Sequence, residues 1–136
     1  PFEYGKIRRL RQSSKGNEVC ILSYGPIMKM AFEVATELEK AGQGVSVISV
    51  HTLNPLDKAG LSKVLQTYQQ VLVIEEHSEI GGLAAQLKQL AWECQASCKL
   101  DTFSLKDQFI HHFGSHIELL KEHGVETGLI LKAIAR

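Results

Sequence analysis

The most polar stretch of the chain, Glu75-Glu76-His77-Ser78-Glu79-Ile80-Gly81-Gly82, carries the side chains that an active-site loop would use. It offers a candidate acid or base, a histidine able to shuttle a proton, and two glycines opening a helix whose backbone amides could meet a substrate. Adjacent residues on a strand point to opposite faces, so Glu75 and Glu76 cannot readily work as a paired dyad. Catalysis, an interface and a structural loop all stay open here, with an interface ahead of catalysis. A second stretch, His51-Thr52-Leu53-Asn54-Pro55-Leu56-Asp57, places a pH-sensitive base or ligand at a strand end. The one carboxylate near His51 is Asp57, which is needed to cap a helix, so a structural histidine is the better reading. A third, Ser23-Tyr24-Gly25-Pro26, could hold an anion with its hydroxyl and the amides of a helix start. It lacks the spacing of a phosphate-binding glycine motif, and a tight turn that frees the backbone at Gly25 and starts a helix at Pro26 is favoured.

Two further groups resemble metal sites at first sight. In His111-His112-Phe113-Gly114-Ser115-His116, sharing one helix face would force Gly114 and Ser115 into a helix interior, where they are poorly placed. These histidines are better assigned to a loop or an interface. Cys94 and Cys98 are too few for zinc, and Cys20 lies in an apolar run as a small buried hydrophobe. No GxSxG, P-loop, GxGxxG or HExxH motif occurs. No catalytic, cofactor-binding or metal-ligating residue is therefore assigned. The candidate interface or ligand residues are Glu76, His77, Ser78, Gly81 and Gly82, with His51, Ser23 and Tyr24 from the neighbouring loops.

These loops need a scaffold, and the hydrophobic pattern describes one. Short apolar runs at Val19 to Leu22, Val45 to Val50 and Val71 to Ile74 read as buried strands, with a weaker one at Lys99 to Phe103. Gly5 to Leu10 reads as an edge strand whose arginines face water. Between them, Ile27, Met30, Ala31, Val34, Ala35, Leu38 and Ala41 form one helical stripe closed by Gly42. A second helix should start at the N-cap Asp57 and bury Leu61, Val64, Leu65 and Tyr68. A third follows Gly81-Gly82 and buries Leu83, Leu87, Leu90, Ala91 and Cys94, and two short helices are expected at Ser115 to Leu120 and from Glu126 onward. Strands alternating with helices predict an α/β sheet that is mostly parallel and covered on both faces.

Composition narrows the class further. A chain of 136 residues, 44% of them hydrophobic, suits one domain with an ordinary core and excludes a disordered or collagen-like chain. Fifteen basic residues balance fifteen acidic ones, and only Lys6 to Arg11 is locally basic, so nucleic acid is a poor partner. No apolar run approaches the roughly 20 residues that span a bilayer, so no membrane association is expected. An odd number of cysteines favours a reducing, cytoplasmic setting.

The order of motifs resembles the C-terminal domain of the transketolase family. The resemblance rests on the strand closing in Ser23-Tyr24-Gly25, on Leu53-Asn54-Pro55-Leu56-Asp57, and on Val73-Ile74-Glu75-Glu76-His77 with Gly81-Gly82-Leu83. It continues through Asp107-Gln108-Phe109, Gly114, and the Leu120 to Gly124 and Ile130 to Ile134 tail, and so covers nearly the whole chain. The variant Glu-Glu-His-Ser is more similar to transketolases, including those split into two subunits, than to deoxyxylulose-phosphate synthases or the beta subunits of 2-oxo acid dehydrogenases.

The resemblance implies a three-layer α/β/α domain over residues 1–136, with a mostly parallel five-stranded sheet, one antiparallel strand at Gly5 to Arg11, and a linker and edge strand within residues 1–16. It implies a parent enzyme that moves two-carbon ketol units between sugar phosphates with thiamine diphosphate and Mg²⁺, held between two preceding domains across a dimer interface. The glutamate that activates the cofactor belongs to one of those domains and has no match here. The implied partners are a second copy or a subunit carrying the cofactor-binding domains, and the start at Pro1 is read as a cut after them. This domain alone would bind no cofactor, would not catalyse, and would support subunit organisation. The alternative is the corresponding domain of the two relatives, acting in subunit docking or regulation. Ala84-Ala85 after Leu83 departs from the family's glycine-rich continuation, which puts an anion pocket at that helix start in doubt. A free-standing flavodoxin-like nucleotide binder is disfavoured because the Ser23 to Pro26 loop is too short to wrap a phosphate.

Overall fold

The structure, a computed structural model, describes residues 5–12, 16–53, 55–75 and 82–104. The chain runs β1 (Arg8–Arg11), β2 (Val19–Ser23), a 3₁₀ turn (Gly25–Ile27), α1 (Met28–Lys40), β3 (Val45–Ser49), α2 (Lys58–Thr67), β4 (Gln70–Glu75), α3 (Leu83–Glu93) and β5 (Lys99–Ser104). The expected tail helices, His111 to His116 and Asp107-Gln108-Phe109 lie outside the described residues. The strands form one sheet in the order β1-β3-β2-β4-β5. All neighbours are parallel except β1, which pairs antiparallel with β3, as the family resemblance implies.

Period-two alternation sends successive residues of each strand to opposite faces, and both faces are covered. Val19, Ile21, Val45, Val47, Leu72 and Ile74 share one core with the α1 residues Met30, Ala31, Val34, Ala35 and Leu38. Cys20, Leu22, Ile48, Val71 and Val73 face the other core, with Leu61, Val64 and Leu65 of α2 and Leu83, Leu87 and Leu90 of α3. One helix on one face and two on the other make the three layers. Cys20 is fully buried, and burial pushes its thiol pKa up to about 12 against the opposing charge of Arg9. Cys94 and Cys98 are half-buried thiols packed on the second core.

Tyr68 is buried as expected, but it stands just past α2 in extended backbone rather than on the helix. Its hydroxyl donates to Ser46 Oγ at 2.9 Å and accepts from Arg9 at 2.6 Å. The edge strand also departs from expectation. Arg8 and Arg9 pair with Ser49 and Ile48, but Arg11 pairs with Val47, so Leu10 is an extra, bulged residue. The bulge breaks the alternation and sends Arg9 and Arg11 to opposite faces. Arg9 meets Tyr68, whereas Arg11 bonds Glu39 of α1 at 2.8 Å and lies over the Phe32 ring at 5.4 Å. Two of the three β1 arginines are thus anchored rather than simply solvated.

Two helices end in the same way on different residues. After α1, Gln43 N–H donates to Leu38 O and Gly42 N–H to Glu39 O; after α3, Ala96 N–H donates to Ala91 O and Gln95 N–H to Trp92 O. Both are Schellman closures, which need a left-handed residue. Gly42 takes φ +93° without strain, whereas Gln95 is forced to φ +53°. Gln95→Gly should therefore raise stability by up to about 1 kcal/mol, read as a higher denaturation midpoint; a lower midpoint would show that the glutamine side chain stabilises the turn.

Asp57 is the expected cap of α2 and does a second task. Its Oδ1 accepts from Gly60 N–H at 3.0 Å, and its Oδ2 accepts from Ile7 N–H at 3.0 Å. The carboxylate thereby joins the start of α2 to the segment leading into β1. A Cβ at Gly60 would stand 2.5 Å from Asp57 Oδ2, which explains a glycine in the first turn of a helix. Gly60→Ala, normally worth about 1 kcal/mol of stabilisation in a helix, is expected to destabilise here by displacing the cap. Asp57→Ala should cost about 2 kcal/mol, the upper end for a lost cap, because it also releases Ile7. Chemical denaturation of both variants checks the pair.

Candidate functional site at the sheet switch point

The chain leaves β2 for β3 on one side of the sheet and later returns to β4 on the other, so β2 and β4 flank the topological switch point. In open α/β sheets the crevice outside the carboxyl ends of such strands is where ligands bind. Here the protein's own groups bridge it. Ser23, the last residue of β2, is buried and donates from Oγ to Ile74 O at 2.6 Å. Tyr24 follows, and its hydroxyl donates to Glu75 Oε1 at 2.8 Å.

Glu75 ends β4 with no solvent exposure. Besides Tyr24, Oε1 accepts from Leu83 N–H at 2.9 Å, and Oε2 accepts from Ala84 N–H. The N-cap of α3 is Gly82, which has no side chain to offer. Glu75 reaches across eight residues to satisfy the donors that a local Ser or Asp would otherwise take. A carboxylate in this position also meets the positive end of the helix dipole and forms charge-assisted bonds.

Of the residues singled out in the sequence, Ser23, Tyr24 and Gly82 therefore come together around Glu75, in structural roles. Gly25 takes φ +73° and Pro26 opens the 3₁₀ turn, as expected for a tight turn rather than an anion loop. His51 is half-buried just beyond β3 on the same edge, next to Val50, whose N–H bonds Ser23 O at 2.9 Å, and His51 is itself engaged by neighbouring groups. Glu76, His77, Ser78 and Gly81 lie outside the described residues. Sequence reasoning missed Glu75 as an internal cap. The available signal was a helix opening on Gly-Gly with no capping side chain, preceded by a strand ending in a carboxylate.

The same geometry bears on cofactor binding. The amides of α3 that could cradle a diphosphate already serve Glu75. Among the described residues no three His, Cys, Asp or Glu side chains come together to hold a metal. No helix of the described residues is long and apolar enough to cross a membrane. At this switch point the described residues do not fit thiamine diphosphate or its Mg²⁺.

An α/β/α domain with an antiparallel first edge strand and a self-capped switch point is the class that these features define. The family described as transketolase, C-terminal domain, matches residues 5–130, and the chain belongs to it. It is 35% identical over 121 residues to 1-deoxy-D-xylulose-5-phosphate synthases of Bacillus cereus (strain B4264) and Bacillus anthracis (strain A0248). The match covers 88% of this chain and 19% of those proteins, so the chain spans about a fifth of the length of these relatives. Among solved structures it resembles a split-gene transketolase, described as an inactive beta4 tetramer, with a TM-score of 0.80 and 27% identity over 98% of this chain and 42% of the other. It shares its fold with a transketolase from Campylobacter jejuni (TM-score 0.60, 18% identity, 96% of this chain and 18% of that one).

If Glu75 is the internal cap, Glu75→Gln places an NH₂ donor among N–H donors and should cost about 1–3 kcal/mol, with Tyr24→Phe costing about 1 kcal/mol. Denaturation midpoints give the size, and faster hydrogen exchange at Leu83 and Ala84 in Glu75→Gln locates it. Unchanged exchange at those amides would reject the assignment.

Proposed function

We propose that this chain is the C-terminal domain of a thiamine-diphosphate-dependent, transketolase-type enzyme that transfers two-carbon ketol units between sugar phosphates. The domain organises subunits and does not catalyse alone. The observation that carries this reading is the occupied switch point: within a family otherwise associated with enzymes, the usual ligand crevice of this domain is closed by Tyr24 and Glu75. In this reading the cofactor and Mg²⁺ are held elsewhere in the parent, and the partner is a second copy or a subunit bearing the cofactor-binding domains. The carboxyl-edge loops carrying His51 and Glu76 to Ser78 are the proposed contact surface. A cytoplasmic setting agrees with three free thiols.

A second reading has its own support. The 35% identity to 1-deoxy-D-xylulose-5-phosphate synthases supports a parent that is a deoxyxylulose-phosphate synthase. A 2-oxo acid dehydrogenase beta subunit, with this domain in docking or regulation, is the remaining relative.

The isolated chain with thiamine diphosphate, Mg²⁺ and a ketose phosphate donor should show no turnover above background, and turnover would overturn the proposal. Sedimentation should show a mass that rises with concentration or on adding a subunit bearing the cofactor-binding domains. In the assembled enzyme the product separates the readings: ketol transfer between sugar phosphates supports the first, and 1-deoxy-D-xylulose 5-phosphate the second.

A further inference from the structure

At the end of α3 away from Glu75, the turn into β5 carries two of the chain's cysteines. Cys94 closes the helix, Cys98 stands immediately before β5, and only Gln95, Ala96 and Ser97 lie between them. We propose that Cys94 and Cys98 form a reversible dithiol–disulfide site that fastens the end of α3 to the start of β5 when a small disulfide oxidant is present.

The fold turns the two side chains toward each other's layer. Cys94 continues the inner stripe of α3, after Leu83, Leu87 and Leu90, so it faces the sheet. Cys98 lies two residues before Leu100, and both pack on the same core as Cys94, so Cys98 faces the helix. The Schellman closure reverses the chain between them, with Gln95 N–H on Trp92 O and Ala96 N–H on Ala91 O. Lys99 N–H then enters the sheet on Gln69 O at 3.0 Å, which fixes the far side of the turn. The two sulfurs are near enough to interact electrostatically. A disulfide needs side chains that converge across a short main-chain separation, and facing positions on either side of a tight turn favour that arrangement.

Access separates this pair from the third thiol. Cys94 and Cys98 are half-buried, whereas Cys20 on β2 has no exposure and a thiol pushed up to about 12, which makes it inert. Burial also holds the Cys98 thiol above its usual value; a backbone hydrogen bond opposes the shift, and the Cys94 sulfur adds to it. Cys98 is therefore suited to the second, intramolecular step, where proximity offsets a low thiolate fraction.

Glutathione disulfide represents the oxidant class. The Cys94 thiol loses its proton to water, and its sulfur attacks one sulfur of the oxidant, breaking that S–S bond and releasing one glutathione thiolate. The Cys98 thiolate then attacks Cys94 Sγ and displaces the second glutathione. The protein sulfurs give up two electrons to the two glutathione sulfurs, which take up the two protons. Disulfides of this transient kind are the ones that occur in reducing compartments. The consequence is structural: Glu75 holds the start of α3, and the disulfide holds its end across the left-handed Gln95. Neither the cofactor nor a partner subunit takes part.

Incubating the full chain with glutathione disulfide, followed by alkylation and tryptic mapping, tests the site. Free thiols should fall from three to one, the survivor being Cys20. The peptide Gln89 to Lys99, which holds both partners, should lose two hydrogens, resist alkylation and carry no glutathione, and dithiothreitol should restore it. Hydrogen exchange at the Gln95 and Ala96 amides should slow severalfold in the oxidised chain. Cys98→Ser, which removes the second step, should leave a stable glutathione adduct on Cys94. Retention of all three thiols, glutathione remaining on either cysteine of the unmutated chain, cross-links between chains, unchanged exchange, or no adduct in folded Cys98→Ser would overturn the assignment.

Discussion

Two main-chain N–H groups at the start of α3 and the hydroxyl of Tyr24 converge on one buried side chain, Glu75. A carboxylate removed from water is costly unless its oxygens are hydrogen-bonded, and unsatisfied helix amides are costly for the same reason. Each requirement answers the other. The contact fixes three elements at once, because Glu75 ends β4, Tyr24 follows β2, and Leu83 opens α3. With Ser23 bonded to Ile74 O, the central strands and the helix crossing to β5 are held in one register at the carboxyl edge.

This constraint also determines what the edge can do. A free helix N-terminus beside a switch point is a ready anion site, but here the anion is part of the chain. The methyl of Ala84 agrees with that arrangement, since the amide of the same residue already serves Glu75. A domain whose customary pocket is closed by its own carboxylate is suited to presenting loops to a neighbour. That physical argument is what favours the organising role proposed for this chain.

How much of this was legible in the sequence varies with the range of the interaction. The strands Val19 to Ser23 and Gln70 to Glu75 were visible because burial on both faces leaves a continuous apolar run. The α2 cap was visible because Asp57 and Gly60 lie three residues apart. The role of Glu75 was harder to see, since its partners are eight, nine and 51 residues away. A polar loop with Glu-Glu-His left an interface, a structural loop and chemistry all open, and the first of those acids is structural. Arg8 and Arg9 of β1 are exposed as expected, but the partners of Arg9 and Arg11 were hidden for another reason: alternation would put the two on one side, and the single bulged residue Leu10 undoes it.

That bulge has consequences at both faces of the sheet. A four-residue antiparallel edge strand with an interrupted ladder has few main-chain bonds, so its side chains carry a larger share of its attachment. Asp57 takes Ile7 N–H, Tyr68 takes Arg9, and Glu39 takes Arg11, so β1 is clasped to the body by α2, by the residue after α2 and by α1. The Arg11 pair is about one-third exposed on each side, and solvent screening limits its worth to at most about 1 kcal/mol. The Asp57 and Tyr68 clasps are more sheltered and carry more of the load. Without the bulge Arg9 could not turn to Tyr68 while Arg11 turns to Glu39. One inserted residue thus ties the edge strand to helices on both faces of the sheet.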